Sequence, residues 1–405
     1  MTTASGATLG AATSIDLGRP RLLYLTLMLG HMAQGIAFTA FVAALPQMAH
    51  DLGPRGAFVA QMTMALAALG IMLGALVSGA IMEKAGTRLT MLGSIVALGI
   101  AGSSALLSHG SALLLASRFI VGFATACMVT TCVWGIAAEY HGARRAQAIG
   151  MAAALGSGTS LVCTLLGGYL AQRGGWSLAF AQYPAFAALA LLLSAVSLRQ
   201  VRPKRETIGV APLPYILGLL PLYMLGAILF AVMFMGSTQF AFILEEDGIG
   251  NPSTRSLIMS SITVVSVGVS AIYGMLQQRL GVAGTFIVGL IAMSVGLAAI
   301  GRGTGSAYAV LGAGLMGVYV GLVVPFVYHE VTERTELSVR SRAIGLLSAF
   351  CFFGAFLNPL VFASLGRLIG LRGVFLAVAV AMAGLALATA ARLLRRRAAA
   401  APAGG

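Results

Sequence analysis

The chain has 405 residues, of which 59% are hydrophobic and 9% are charged, and its mean hydropathy is +0.95. Soluble domains carry about 25% charged residues, so this composition excludes an ordinary soluble protein. The formal net charge of +14 therefore belongs to a membrane protein, and we expect no nucleic-acid partner.

Hydrophobic runs long enough to cross a bilayer, about 20 helical residues each, recur along the whole chain. They fall at 22–46, 58–80, 90–108, 112–138, 147–170, 178–197, 213–240, 254–276, 284–301, 307–329, 343–364 and 374–394. Uniformly apolar runs favour helices over barrel strands, because each amide in hydrocarbon must be bonded within its own segment. We predict an all-α membrane protein with twelve transmembrane helices.

A repeat divides these spans into two groups of six. Gly79 begins the segment that ends the second span, and Gly274 begins a similar segment 195 positions later. The same offset relates Gly122 to Gly317, and it also relates 51–53, 110–112 and 148–150 to 246–248, 305–307 and 343–345. Fused repeats are common in secondary transporters, so we predict two six-helix bundles related by a pseudo-twofold axis along the membrane normal.

The predicted organisation has five parts. They are a disordered cytoplasmic N-terminus at 1–21, a bundle at 22–198, a cytoplasmic linker at 199–212, a second bundle at 213–394 and a disordered basic tail at 395–405. With a cytoplasmic N-terminus, eighteen Lys and Arg residues fall in cytoplasmic segments and six in outer loops. This bias predicts a bacterial-type inner-membrane protein with both termini in the cytoplasm.

Residues 1–18 contain no basic residue and so lack the charged start of a cleavable signal peptide. All four cysteines lie within predicted spans, at Cys127, Cys132, Cys163 and Cys351. No pair has the CxxC spacing, and we infer neither a disulfide nor a metal site. No soluble domain or nucleophile–base pair is evident, so we expect no enzyme and no cofactor.

The loop after the second span carries the most specific motif. It contains Gly79, Glu83, Lys84, Gly86 and Arg88. This pattern resembles the Gly-x-x-x-Asp-Arg/Lys-x-Gly-Arg-Arg/Lys loop of the major facilitator superfamily, with glutamate replacing the aspartate. Together with twelve spans in two sixes, the resemblance covers nearly the whole chain. It implies a transporter that works by alternating access.

The resemblance also implies a gate at this loop. In the family, the acid of the loop meets the start of the eleventh helix, here near Ser341, and the base meets an acid ending the fourth helix. Carried over to this chain, the resemblance implies that Arg88 pairs with Glu139. The cluster of Glu83, Arg88 and Glu139 would then stabilise the outward-facing conformation. The predicted gating residues are Gly79, Glu83, Arg88, Glu139, Arg279 and Glu330. A solvated topogenic turn is the alternative interpretation.

Two further motifs bear on coupling. Arg118, four residues before Gly122, resembles a family arginine used in proton exchange or substrate contact, although it lies near enough to the outer helix end to snorkel. The family's glycine-rich antiporter motif in the fifth helix survives only as Gly167 and Gly168, which weakens the antiport reading. Residues 44–53 resemble the sugar and drug efflux branch.

None of the eleven acids lies in the middle of a span. His31 is the titratable candidate near mid-membrane, because an unperturbed imidazole titrates near physiological pH. It shares one face of the first helix with Gln34 and Phe38 by the three-and-four spacing. A satisfied buried histidine is the alternative.

Aromatic and small polar residues recur on faces expected to line a cavity. The predicted substrate-binding or coupling residues are His31, Gln34, Arg118, Thr130, Trp134, Phe234, Gln239, Phe353 and Asn358. Stacking rings suit amphiphilic or aromatic solutes, whereas helix packing and lipid contact are the alternative explanation.

Two transport functions remain open. The first is proton-linked export of amphiphilic, drug-like compounds. The second is transport of an organic anion such as a carboxylate, recognised by Arg118 and His31. Both involve a small-molecule solute and the lipid bilayer, and we expect a monomer.

Overall fold

The computed structural model describes residues 20–107, 110–198, 201, 218–336 and 339–400. Every regular element in these ranges is helical. Eleven helical segments are long and apolar enough to cross a membrane. One of them, Gly142–Ser197, has 56 residues, and a continuous helix of that length would extend about 84 Å. It breaks at Gly174 and Gly175, so it supplies two spans and the total is twelve.

The twelve spans are labelled α1 to α12. They are α1 (Pro20–Thr39 with Leu45–Asp51), α2 (Gly56–Ala85), α3 (Thr87–Gly102 with Ser104–Leu107), α4 (Ser111–Glu139), α5 (142–173), α6 (176–178 with Gln182–Ser197), α7 (Leu220–Met233, Met235–Thr238 and Phe240–Glu246), α8 (Pro252–Ala271 with 273–280), α9 (282–302), α10 (Ser306–Glu333), α11 (Arg340–Ile369) and α12 (Leu371–Ala400).

The all-α fold with two six-helix bundles is therefore confirmed. Two local boundaries differ from the sequence prediction. α1 is interrupted before Pro46, which lacks the amide proton needed to continue the helix and instead begins the short second segment. α12 continues to Ala400, because arginine and alanine favour helix, so 395–400 are helical rather than disordered. The predicted N-terminus at 1–19 and most of the linker lie outside the described residues.

The repeat is visible in the backbone. Gly86 and Gly281, which are 195 positions apart, have φ values of +84° and +72° at the turns after α2 and α8. Gly175 and Gly370, at the same offset, have φ values of +76° and +75° at the turns before α6 and α12. Side chains rarely adopt this left-handed conformation, so the glycines mark equivalent turns in the two halves.

Helix packing repeats as well. A Cβ atom at Gly122 would lie 2.0 Å from the carbonyl oxygen of Ala67, and one at Gly317 would lie 2.6 Å from that of Ile262. Gly122 corresponds to Gly317, and Ala67 corresponds to Ile262, under the 195-residue offset. Glycine therefore brings α4 against α2 and α10 against α8 at equivalent points, as small residues commonly do between membrane helices.

The two halves pack through α2 against α11 and α5 against α8. We call the membrane face with Pro20 and Ala400 the terminal face, and the opposite face, with the α1–α2 and α7–α8 turns, the distal face. The described hydrogen bonds and ion pairs that join the halves all lie toward the distal face. At the terminal ends of α2 and α8, a Cβ at Gly79 or Gly274 would meet no atom within 4 Å. The halves are therefore joined at the distal face, and no described hydrogen bond or ion pair joins them at the terminal face.

Candidate functional site

Three layers of contacts close the distal side between the halves. The innermost layer is aromatic. Phe38 of α1 meets Phe234 of α7 edge-on at a ring-centroid distance of 5.1 Å, and it stacks on Phe352 of α11 at 6.2 Å. Phe38 and Phe234 are 9% and 7% exposed. Rings in these geometries attract one another and exclude water, so this layer closes the distal side between the halves, and we call it the aromatic ceiling.

The middle layer is a cluster of side-chain amides. The Nε2 atom of Gln239 donates to Oε1 of Gln61 in the other half at 3.2 Å, and to Oδ1 of Asn358 at 2.9 Å. The Nδ2 atom of Asn358 donates to the carbonyl oxygen of Ala231 at 2.7 Å. Buried amides need such partners, so the cluster is both a cross-half contact and a satisfied polar network.

The interrupted course of α7 creates this cluster. α7 breaks after Met233 and again at Gln239, which places the Gln239 side chain toward α2 and α11. Thr238 Oγ1 lies 2.7 Å from Oδ1 of Asn358 and 2.8 Å from the carbonyl oxygen of Phe234. Phe234 and Gln239 keep right-handed helical dihedral angles, and their amides donate to the carbonyl oxygens of Phe230 and Met235, so helical hydrogen bonding continues across both interruptions.

The outermost layer is ionic. Glu245 at the end of α7 lies 3.4 Å from His50 of the α1 terminal segment and 3.4 Å from Arg255 of α8. Arg255 is fully buried and also donates to the carbonyl oxygen of Gly250 at 3.1 Å. The Glu245–His50 contact joins the halves, whereas the Glu245–Arg255 contact lies within the second half. Ser253 and Gln172 add a cross-half hydrogen bond of 2.5 Å at the same face.

The two glycines of the reduced α5 motif lie at this closure. A Cβ at Gly167 would be 1.9 Å from the carbonyl oxygen of Ala40 in α1. A Cβ at Gly168 would be 2.3 Å from Oγ of Ser256 and 2.6 Å from the carbonyl oxygen of Pro252, both in α8. The absence of a side chain at Gly168 therefore permits α5 of one half to approach α8 of the other.

His31 and Gln34 are half-buried on α1, seven and four residues before Phe38. This spacing puts them on the stripe of α1 that carries Phe38 toward the second half. They therefore lie on the terminal side of the aromatic ceiling, on the same face of α1 as Phe38. Nδ1 of His31 has no hydrogen-bond partner among the described residues.

Arg118 lies elsewhere. Its side chain is fully buried inside the first half, and its guanidinium carbon is 5.6, 4.8 and 4.8 Å from the ring centroids of Phe41, Phe180 and Tyr183. One guanidinium nitrogen donates to the carbonyl oxygen of Ala101 at 3.3 Å. Arg118 thus neither lines the central space nor snorkels in this conformation. Aromatic rings and a carbonyl take the place of the expected water or solute.

The other sequence-predicted cavity residues lie in four places. Phe234, Gln239 and Asn358 belong to the distal closure described above. Thr130 instead bonds Ser78 through their hydroxyl groups at 2.7 Å, joining α4 to α2. Trp134 lines a pocket inside the first half at the terminal face. Phe353 is 37% exposed, with its ring centroid 6.5 Å from that of Phe356.

The predicted gate residues are apart in this conformation. Arg88 donates to the carbonyl oxygen of Ala195 at the end of α6, at 3.1 Å. Glu83 and Glu139 make no ion pair among the described residues, and Gly79 faces open space. In the second half, Arg279 is exposed, and Glu330 pairs with Arg334 one turn along α10. The cluster of Glu83, Arg88 and Glu139 was predicted for the opposite conformation and stays a prediction.

Sequence reasoning missed Gln61 and the ionic layer. Gln61 could have been noticed as a polar side chain inside an apolar span, which is a signal of function or of helix–helix bonding. His50, Glu245 and Arg255 carried no such signal, since charged residues near loop ends are ordinary. Their meeting depends on how the two halves are placed against each other.

Two bundles of six membrane helices, joined by contacts near one face of the membrane, have the architecture of a membrane transporter of small solutes. The sequence model of the Major Facilitator Superfamily matches residues 27–265, which is more than half of the chain. The protein belongs to that superfamily and is an integral membrane protein.

Solved structures share the fold at low sequence identity. The nucleoside transporter NupG has a TM-score of 0.73 and 14% identity, covering 91% of this chain and 98% of that chain. A D-xylose–proton symporter has a TM-score of 0.71 and 14% identity, covering 89% and 97%. The human organic anion transporter MFSD10 has a TM-score of 0.66 and 19% identity, covering 91% and 98%. A comparison with curated protein sequences gave no match.

Proposed function

We propose that the protein exports amphiphilic, drug-like organic compounds by alternating access. The observation that carries this proposal is the aromatic ceiling of Phe38, Phe234 and Phe352 above the polar pair His31 and Gln34. Rings supply stacking surface, and a few polar groups supply orientation, which is the usual composition of a site for small organic molecules. The solute would enter from the terminal face and lie below the ceiling.

The direction of export follows from the orientation that charge predicts. Basic residues are concentrated at the terminal face, so this face is proposed to be cytoplasmic. The described conformation would then be inward-facing and ready to receive a cytoplasmic solute. Release would require the three distal layers to separate while the terminal face closes.

The position of Arg118 weighs against the organic-anion alternative. That reading needs cationic groups at the solute, but the guanidinium is enclosed by three rings and fully buried. Of the two cationic recognition groups proposed for an anion, only His31 lies on the stripe below the ceiling. We therefore place neutral or cationic amphiphiles ahead of carboxylates.

We propose proton linkage through His31. The sequence has no acid in the middle of a span, and Nδ1 of His31 is buried without a hydrogen-bond partner among the described residues. An imidazole that binds a proton in one conformation and releases it in the other would couple the proton gradient to solute movement. The coupling requires His31 to face opposite membrane sides in turn.

The test uses purified protein in proteoliposomes with a panel of fluorescent amphiphiles and radiolabelled carboxylates of similar size. An imposed pH gradient should drive transport of aromatic amphiphiles. A Phe234→Ala variant should insert into the liposomes in the same orientation as the parent protein but lose most of this transport. Thr389→Ala, which alters a hydroxyl bonded only within its own turn of α12, is the control. Transport confined to the carboxylates would favour the anion reading, and gradient-independent transport would remove the proton step.

A further inference from the structure

A second candidate site lies within the first half, separate from the central space. It is a pocket at the terminal face between α1, the start of α3 and the ends of α4 and α6. Its lining includes Leu23, Leu27 and Leu198, together with Trp134 and Glu139. The three leucines are at most 9% exposed. The pocket thus has a largely aliphatic lining with one indole ring, one carboxylate and three residues that carry hydroxyl groups, which are Thr87, Thr131 and Ser197.

The backbone closes the pocket on the side of the linker. The amide of Thr87 donates to the carbonyl oxygen of Val201 at 2.8 Å, and the amide of Val201 donates to the Thr87 hydroxyl at 3.2 Å. Both residues line the pocket. This pair of bonds ties the chain after α6 to the α2–α3 turn, so the pocket has a fixed wall on that side.

The carboxylate of Glu139 is unpaired within the described part of the chain. Among the described residues it makes no ion pair and no hydrogen bond, and it is only half-buried at the end of α4. Arg88, the cation that the family resemblance assigns to it, bonds the carbonyl oxygen of Ala195 instead. Burial, followed by the charges of Glu139 and Tyr24, raises the pKa of the Tyr140 hydroxyl next to it. No described cation therefore lies within ion-pair distance of the carboxylate at this end of α4.

We propose that this pocket binds a small organic cation with an aliphatic chain, of the alkylammonium class. The cationic head would lie between the Glu139 carboxylate and the Trp134 ring, and the chain would lie among Leu23, Leu27 and Leu198. A carboxylate and an indole face are the two protein groups that best recognise an ammonium ion bearing alkyl groups. Aliphatic walls add the hydrophobic part of the affinity.

Binding would favour the conformation described here. If Arg88 pairs with Glu139 when the terminal face closes, a bound cation occupies the carboxylate that this closure requires. The ligand therefore has differential affinity for the two conformations, which is the condition for shifting their populations. The site would act as a cytoplasmic sensor of organic cations, whatever solute the central space carries.

The experiment measures binding of hexyltrimethylammonium, with n-heptanol as the uncharged probe of similar length. The chain has two tryptophans, so a Trp176→Phe variant leaves Trp134 as the only indole and its fluorescence reports the pocket directly. Calorimetry on the unmodified protein provides the second readout. We expect a saturable change with the cation and none with the alcohol.

Glu139→Gln should weaken binding by at least about tenfold, because it removes the charge and keeps the shape. The matched control is Glu333→Gln, which alters an exposed acid at the same end of α10 in the second half. Equal affinities for these two variants, equal responses to the cation and the alcohol, or the absence of saturable binding would each overturn the proposal. Transport of the central solute is not measured, so failure here leaves the proposed export untouched.

The chain's own linker is the competing occupant. Its sequence carries Arg199 and Arg202 on either side of Val201. If the unmodified protein binds no cation but an Arg199→Ser, Arg202→Ser variant does, the linker fills the site and the ligand proposal is wrong. Unchanged affinity in that variant, together with the loss in Glu139→Gln, would support the external ligand.

Discussion

Replacing Gly168 by alanine tests whether the contact between α5 and α8 holds the distal face closed. The new Cβ would lie 2.3 Å from Oγ and 2.5 Å from Cβ of Ser256, and 2.6 Å from the carbonyl oxygen of Pro252. Ordinary contacts begin near 3.4 Å, so the helices must separate by about 1 Å. Rotating the serine hydroxyl away does not suffice, because its Cβ and a backbone carbonyl also clash.

The cost falls on one conformation only. Gly168 belongs to the first half and Ser256 to the second, so the clash disappears when the distal face opens. Overpacking of this kind costs about 1–3 kcal/mol. Since about 1.4 kcal/mol changes an equilibrium tenfold, the ratio of distal-closed to distal-open molecules should fall by about 5- to 150-fold.

Distances between spin labels at Arg55 and Gly250 provide the assay. Both positions are exposed at the distal face, one in each half, and all four native cysteines are buried, so engineered cysteines can be labelled selectively. Double electron–electron resonance in nanodiscs should show a longer distance in Gly168→Ala than in the parent protein. Proton-driven transport should fall as well, because the cycle can no longer reset to the closed state readily.

Gly158→Ala is the matched control. Gly158 lies on α5 ten residues earlier, and a Cβ there would meet no atom within 4 Å. Both substitutions gain the same helix propensity of about 1 kcal/mol, so the difference between them isolates the clash. Adding Ser256→Gly to Gly168→Ala should restore part of the short distance. Identical distance distributions in the two alanine variants would refute the role assigned to this approach.

Three further outcomes follow. Glu245→Gln should favour the distal-open state by up to about 1 kcal/mol, because it removes the charge that faces His50 across the halves. Its contact with buried Arg255 does not join the halves, so the loss of that contact lowers overall stability without shifting this equilibrium. The neighbouring Glu246→Gln, whose partner Arg372 lies in the same half, should have little effect on the same label distance. His31→Gln should flatten the pH dependence of transport between pH 5 and 8, and a profile like that of the parent would exclude it as the proton carrier. Arg118→Ala should lower the midpoint of thermal unfolding, because the contacts of Arg118 are aromatic rings inside one bundle. Solute affinity should stay within about twofold of that of the parent protein. A large loss of affinity in stably folded protein would show that Arg118 contributes to the solute site.

The amino-acid sequence by itself determined the class of protein and its plan. Long apolar runs require helices in a bilayer, and the pattern of arginines predicts which ends face the cytoplasm. The 195-residue offset identified two equivalent halves, and the backbone of Gly86 and Gly281 has the same left-handed turn at corresponding places. The loop from Gly79 to Arg88 pointed to the superfamily. These features are local in the chain, so no tertiary contact was needed to recognise them.

Only the tertiary structure decided which residues meet. Helical spacing placed His31, Gln34 and Phe38 on one face, but it could not name Phe234 and Phe352 as the rings opposite. Partners across the halves depend on the relative tilt of two rigid bundles, which no single-helix pattern encodes. The position of Arg118 likewise depends on tertiary packing. A charge in an apolar span needs a partner, and the sequence suggested the solute, whereas folding brought rings from α1 and α6 around the guanidinium because those helices converge beside α4.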